Sequence, residues 1–272
     1  MNERAVRHSD LLTVVCIAAL AYGLCNLAHE GVGHGGTCLL VGCSPRMLTS
    51  ISFDGNTEAV TDLARRMIAA GGAIANALMG LIALVFLRRI RATQSARWWF
   101  CWLIVAISFM QATGYLLFSG VAGIGDWATV VANLPGEGAW RIVMAVVGAL
   151  TYVLVVRRSM RWLGARLDAD SPRARIRAGY RLTLPAYAAG AALQITAGTL
   201  DPGGAALLMI SGVAASLGGT SGLAWGPQLM PRDIDRAAPA TSLIIERDWR
   251  WIIAALVFAV AFVMILGRGI RF

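Results

Sequence analysis

The sequence predicts an all-α polytopic membrane protein, with six to seven transmembrane helices and a small β segment after the first. Three observations carry this. Apolar residues make up 57% of the 272-residue chain and charged residues 14%, with a mean hydropathy of +0.65, a balance foreign to soluble domains. Uncharged runs long enough to cross a bilayer recur along the chain. The 24 basic residues are all arginine and gather between those runs, which is the positive-inside pattern and not a nucleic-acid surface. The expected surroundings are a lipid bilayer, with no nucleic-acid partner, and one membrane domain spanning 1–272.

A short basic start (Arg4, Arg7) precedes the first span, Leu11 to Ala28, whose helix is expected to continue to about Val41. It has no small-residue cleavage site, so it reads as a retained span. Gly42-Cys43-Ser44-Pro45 stops it. Met47 to Phe53, followed by Asp54-Gly55-Asn56, reads as a strand or small hairpin. The second span is Met67 to Leu87, with Ala70-Gly71-Gly72-Ala73-Ile74-Ala75-Asn76 inside it. The small residues permit close helix packing, and Asn76 can hydrogen-bond across an interface. Arg88, Arg89, Arg91 and Arg97 follow.

The third uncharged stretch, Trp98 to Gly125, exceeds one span, and its glycine-rich end is expected to unwind before Asp126. Asn133 to Gly136 is a turn. A short fourth span, Ile142 to Val156, leads to the most basic loop, Arg157 to Arg181. The fifth span, Leu182 to Leu200, is capped by Asp201-Pro202-Gly203-Gly204. A sixth, glycine-rich apolar stretch runs to Pro231, with Gly218 and Gly222 in a helix-packing spacing. A polar loop, Arg232 to Arg250, precedes the last span, Trp251 to Gly267. The arginines place the N-terminus and the Arg88–Arg97 and Arg157–Arg181 loops on the cytoplasmic side; Arg65 and Arg66 run against the pattern. An arginine-only basic set is associated with high-GC bacterial genomes, which gives a bacterial inner membrane as the expected location.

Two of the three histidines sit in Ala28-His29-Glu30-Gly31-Val32-Gly33-His34. Ionisable groups at membrane depth are costly and mark function by default. Two imidazoles beside a carboxylate suggest a metal site with a general base. The histidines are i and i+5, however. On a regular helix they point about 140° apart, whereas i and i+4 differ by about 40°. A π-bulge would bring i and i+5 together, and Gly31 and Gly33 ease it. Alternatively the helix breaks at the glycines, or the histidines are satisfied without a metal.

The order of these features resembles the site-2 protease family of intramembrane zinc metalloproteases. His29-Glu30…His34 stands where that family has H-E-x-x-H. Gly42 and Met47 to Gly55 are similar to its β segment. Ala70 to Asn76 is similar to its A-G-P-x-A-N-like motif, with glycine in the place of proline. The resemblance covers roughly residues 15 to 130, so the protease-like core is about 11–135 and the further spans about 139–267. It implies zinc held by His29, His34 and an aspartate, with Glu30 as the catalytic base. It further implies cleavage of a membrane-embedded protein or peptide substrate, with Gly71, Gly72 and Asn76 serving the substrate or the core packing. Asp126 lies where chain order expects the third ligand, and Asp201, in Asp-Pro-Gly-Gly, is the alternative. The edge of the Met47–Phe53 strand would receive an extended substrate segment.

Two other classes fit the same residues. A closed structural zinc on His29, His34, Cys38 and Cys43 would leave no open position for chemistry. The two cysteines could instead form a disulfide or pack as small hydrophobes. A scaffold or transporter-like protein could also keep the fold without the reaction.

Overall fold

The computed structural model describes residues 9–91, 93–232 and 242–272; the basic start at Arg4 and Arg7 lies outside them. Helix α1 runs Leu11–Leu40, with a π-helical middle, Ala28–Gly35. Strands β1 (Ser44–Leu48) and β2 (Phe53–Asn56) follow, then α2 (Asp62–Arg89) and α3 (Ser95–Ala122). A one-and-a-half-turn helix, α4 (Asp126–Val131), leads to α5 (Glu137–Gly164) and α6 (Pro172–Gly198). The composite helix α7 (Gly204–Leu229) contains π and 3₁₀ segments. Helix α8 (Trp249–Leu266) ends the bundle before β3 (Ile270–Arg271).

Six of these helices, α1, α2, α3, α5, α7 and α8, are long and apolar enough to cross a membrane. The sheet requires a seventh crossing. Its strand order is β2-β1-β3, so β1, after α1, and β3, after α8, lie at the same end of the molecule. Six alternating spans would place them at opposite ends. Helix α6, with 27 residues and hence about 40 Å long, supplies the missing passage. Its arginine-rich first turns dilute its hydropathy.

Local capping sets the helix ends. Asp10 caps α1 by accepting from the Thr13 amide at 2.9 Å. Thr61 caps α2 through the Ala64 amide at 3.2 Å. Ser171 caps α6, with Pro172 at its first position, where a proline lacks nothing the helix needs. Gly123 ends α3 in the left-handed region (φ 70°), as a glycine past a helix end does.

Three boundaries differ from expectation. Helix α5 extends well beyond Ile142–Val156, and α6 begins ten residues before Leu182, because arginine is a good helix former and prolongs a helix past its apolar run. The hairpin is also shifted. Its turn is Thr49–Ser52, where Thr49 Oγ1 accepts from the Ser52 amide at 3.0 Å and the Thr49 amide donates to the Ser52 carbonyl at 2.8 Å. Asp54-Gly55 therefore lies inside β2. The third strand comes from the far end of the chain and was not expected.

Helix α3 is the spine, packed against α1, α2, α4, α5 and α7. Its core includes stacked Trp99 and Trp102, both fully buried. Helices α5 and α8 are peripheral, with exposed apolar faces. Cys38 and Cys43 form a disulfide that joins the end of α1 to the start of the hairpin.

The entry to α8 is strapped to the start of α1. The Asp10 amide donates to the Ile245 carbonyl at 2.7 Å, and Arg247 donates to Asp10 Oδ2 at 2.7 and 2.9 Å. That guanidinium holds the Asp10 carboxyl at about 2, below its ordinary 3.8. A depressed folded-state pKa stabilises above the ordinary value and is lost as pH falls through the folded one. The strap should therefore contribute fully above pH 3.8 and fade toward pH 2. In micelles, the unfolding midpoint of Asp10→Ala should lack this acid-dependent component and sit lower at neutral pH, by about 1 kcal/mol of lost capping.

Candidate metal centre

The π segment resolves the spacing problem. The Gly36 amide bonds the Gly31 carbonyl five residues back, so the turn is one residue wider than an α turn. That widening swings His34 onto the face of His29. Their Nε2 atoms lie 3.2 Å apart and their rings meet edge to face. Asp126, the first residue of α4, points its Oδ2 at both, 3.1 Å from His29 Nε2 and 3.5 Å from His34 Nε2. His29, His34 and Asp126 thus form a group that could hold a metal ion, with one ligand atom each within 4.8 Å of the others.

The partners of the outer ring nitrogens set the tautomers. His34 Nδ1 lies 2.7 Å from the Ile68 carbonyl, which can only accept, so in the neutral ring Nδ1 carries the proton and Nε2 presents a lone pair. His29 Nδ1 accepts from Asn76 Nδ2 at 3.1 Å, so in the neutral ring its proton sits on Nε2, facing Asp126 Oδ2 at 3.1 Å. Asp126 Oδ2 has no other partner. One proton therefore lies among the three inward-facing atoms. A metal ion there would take that proton's place and be held by all three.

Small residues make the convergence possible. A Cβ on Gly72 would sit 2.5 Å from His29 Nε2 and 2.6 Å from His34 Nε2, inside the cradle itself. A Cβ on Gly33 would meet the Gly72 Cα at 2.5 Å. The second sequence motif therefore acts here: Gly71 and Gly72 let the π segment lie against α2, and Asn76 orients His29. Arg66 clamps the other side of the site. It donates to the Val130 and Ala132 carbonyls at the end of α4, which accounts for an arginine at this end of the molecule.

Glu30 is 7% exposed and lines, with His34 and Asp126, a cavity of about 370 Å³. Phe53, Arg65 and Tyr115 also border it. Tyr115 stands against His29, ring centroids 4.8 Å apart. Asp201 is not part of the group. Its Oδ1 accepts from the Gly203 amide at 2.7 Å, the capping role open to any aspartate before a turn. Cys38 and Cys43 are also excluded as ligands, because both sulfurs are committed to the disulfide.

Sequence reasoning missed the polar web behind Asn76. The Asn76 amide donates to Gln111 Oε1 at 3.0 Å, and Gln111 Nε2 donates to Asn26 Oδ1 at 3.1 Å. Gln194 donates to the same Asn26 oxygen, and Asn26 donates to the Ser50 carbonyl, each at 3.1 Å. The signal was available: Asn26, Gln111 and Gln194 are amides inside apolar spans, where polar side chains join helices.

No family model, curated protein or solved structure matches the chain.

Gly72→Ala should abolish binding of a divalent metal, measured by calorimetric titration of the purified protein. Gly36→Ala should retain it, because a Cβ there meets nothing nearer than 4.0 Å. Asn76→Ala should keep the fold and weaken the metal about 10- to 100-fold, the usual effect of removing a partner behind a ligand.

Proposed function

We propose that the protein is an intramembrane zinc metalloprotease that cleaves membrane-embedded peptide segments. The observation that carries this reading is the convergence of His29, His34 and Asp126 on one point, with buried Glu30 on the same cavity. Ligand spacing supports zinc. Tetrahedral N and O ligands about 2.0–2.1 Å from the ion lie about 3.3 Å from one another. The separations here are 3.1, 3.2 and 3.5 Å. Two imidazoles favour zinc over magnesium or calcium. Three protein ligands leave the open position that distinguishes catalytic from structural sites.

Zinc supplies Lewis acidity, lowering the pKa of water toward neutrality. The chain's own residues do the rest. Glu30 accepts the proton of the attacking water and returns it to the leaving amine. Ile68 and Asn76 hold the imidazoles in place. β1 is paired on both sides, and of the two outer strands β2 is the one that borders the cavity; β2 replaces the Met47–Phe53 edge as the expected receiver of an extended substrate. Phe53 and Ser52 border the cavity, so a segment added to β2 would run past Glu30.

The same reading places the N-terminus in the cytoplasm, because arginines 88–97 and 157–181 share the end opposite the sheet. The disulfide at the sheet end then faces an oxidising compartment, where such bonds persist.

The decisive experiment is Glu30→Gln in protein reconstituted with a helical transmembrane substrate. The variant should retain one zinc and lose cleavage by about 10²- to 10⁴-fold, the loss typical of a missing general base. His29→Ala and His34→Ala should lose the metal. A Glu30→Gln protein without zinc would make Glu30 a ligand and overturn the assignment. A zinc-loaded wild type inert toward every helical substrate would favour a non-catalytic membrane scaffold.

A further inference from the structure

We infer that the protein carries a binding site for the phosphodiester headgroup of an anionic phospholipid, at the end of the bundle remote from the metal centre. A cavity of about 320 Å³ opens between the end of α2, the start of α3 and the end of α5. Arg88, Arg158 and Arg166 line it, together with Trp98, Trp162 and Leu84. No carboxylate among the described residues forms an ion pair with Arg88 or Arg158. Two of the guanidiniums are set on indole faces: Arg158 lies 5.1 Å from the Trp162 ring centre and Arg166 lies 5.0 Å from that of Trp98. A guanidinium on an aromatic face can still offer its planar fork to a phosphate; Arg158 and Arg88 are the two assigned to the headgroup, and Arg166 adds positive charge to the rim.

The surface beneath this cationic cap selects a lipid over a free phosphate. Leu150, Leu154, Arg158 and Trp162 recur every four residues and so share one stripe of α5. Leu150 is 68% exposed and Leu154 66%. On α2, Leu81, Leu84 and Arg88 follow one another at helical spacing, and Leu81 is half exposed. Each arginine thus stands at the head of an apolar rail that runs toward the membrane interior. Both rails flank α3, against which α2 and α5 pack. A charged head with two acyl chains has the matching shape. Basic pockets between membrane helices are a known physical solution for such headgroups. The inference does not depend on the reaction proposed for the metal centre.

The test is native mass spectrometry of the full-length protein released from micelles, titrated in turn with phosphatidylglycerol, phosphatidylcholine and glycerol phosphate. Wild type should retain one phosphatidylglycerol, bind phosphatidylcholine at least about tenfold more weakly, and ignore glycerol phosphate. Arg88→Gln/Arg158→Gln should weaken phosphatidylglycerol about 25-fold, on the order of fivefold per arginine. Arg89→Gln/Arg157→Gln removes the same charge from the same helix ends outside the cavity and should bind as wild type does. Equal losses in the two double variants would mean diffuse surface charge and overturn the site. Equal affinity for the two lipids would overturn headgroup recognition, and tight binding of glycerol phosphate would make this a soluble-phosphate site. If the double variant does not fold, the wild-type comparison of the three ligands still decides.

Discussion

The structure turns on the contact between the π turn of α1 and the bare backbone of α2 at Gly72. Without the extra residue in the turn, His29 and His34 face different ways. With it, their Nε2 atoms come within 3.2 Å of each other, and something must lie directly against them. A side chain at position 72 would occupy that space. The wide turn and the glycine pair are therefore one device split between two helices. A π segment is rare and usually a single turn, so its persistence over eight residues needs external support. Gly33 against Gly71 and Gly72 supplies it through close backbone approach, the form of packing on which membrane helices rely.

Polar groups inside the bundle follow from the same site. The Asn26, Asn76, Gln111 and Gln194 side chains and Ser216 tie α1, α2, α3, α6 and α7 together around the back of His29. An unpaired amide at this depth costs several kcal/mol at the upper end, on the order of 1–3 when partly compensated. A web in which each amide holds the next fixes rotamers as well as energy. The His29 ring is oriented by residues drawn from five helices, and so its position reports the assembly of the whole bundle.

The periodic and compositional parts of this fold were legible in the sequence. The spans and the glycine-rich end of α3 depend on neighbours within a few residues, and the residue types state them. The histidine spacing even named the distortion it required. What could not be read locally was pairing over long distance. β3 joins β1 across more than two hundred residues, and nothing in Ile270-Arg271 distinguishes it from a frayed tail. The choice between Asp126 and Asp201 also lay outside local sequence. Both follow a helix end and both can cap. Only the packing of α4 on α2, clamped by Arg66, brings one of them to the imidazoles. The shifted hairpin is a subtler case: Asp54-Gly55 carries the stronger turn signal, but the hydroxyl of Thr49 captures Ser52 and sets the reversal earlier.

The late strand also constrains what the site can receive. By pairing with the far side of β1, the two-residue strand β3 becomes one edge of the sheet and leaves β2 as the other. A sheet edge left open is a ready template for another chain. Here the open edge begins at Phe53, on the rim of the cavity that holds Glu30, His34 and Asp126. The two edges are thus unequal in length and surroundings. One side ends in the two-residue strand that follows α8. The other faces the only group of convergent ligand atoms among the described residues. An extended segment drawn to that edge would gain backbone hydrogen bonds, which a membrane interior otherwise withholds from any unwound peptide. In the proposed reading, that gain offsets the unwinding of a helical substrate at the point where its carbonyl must become accessible.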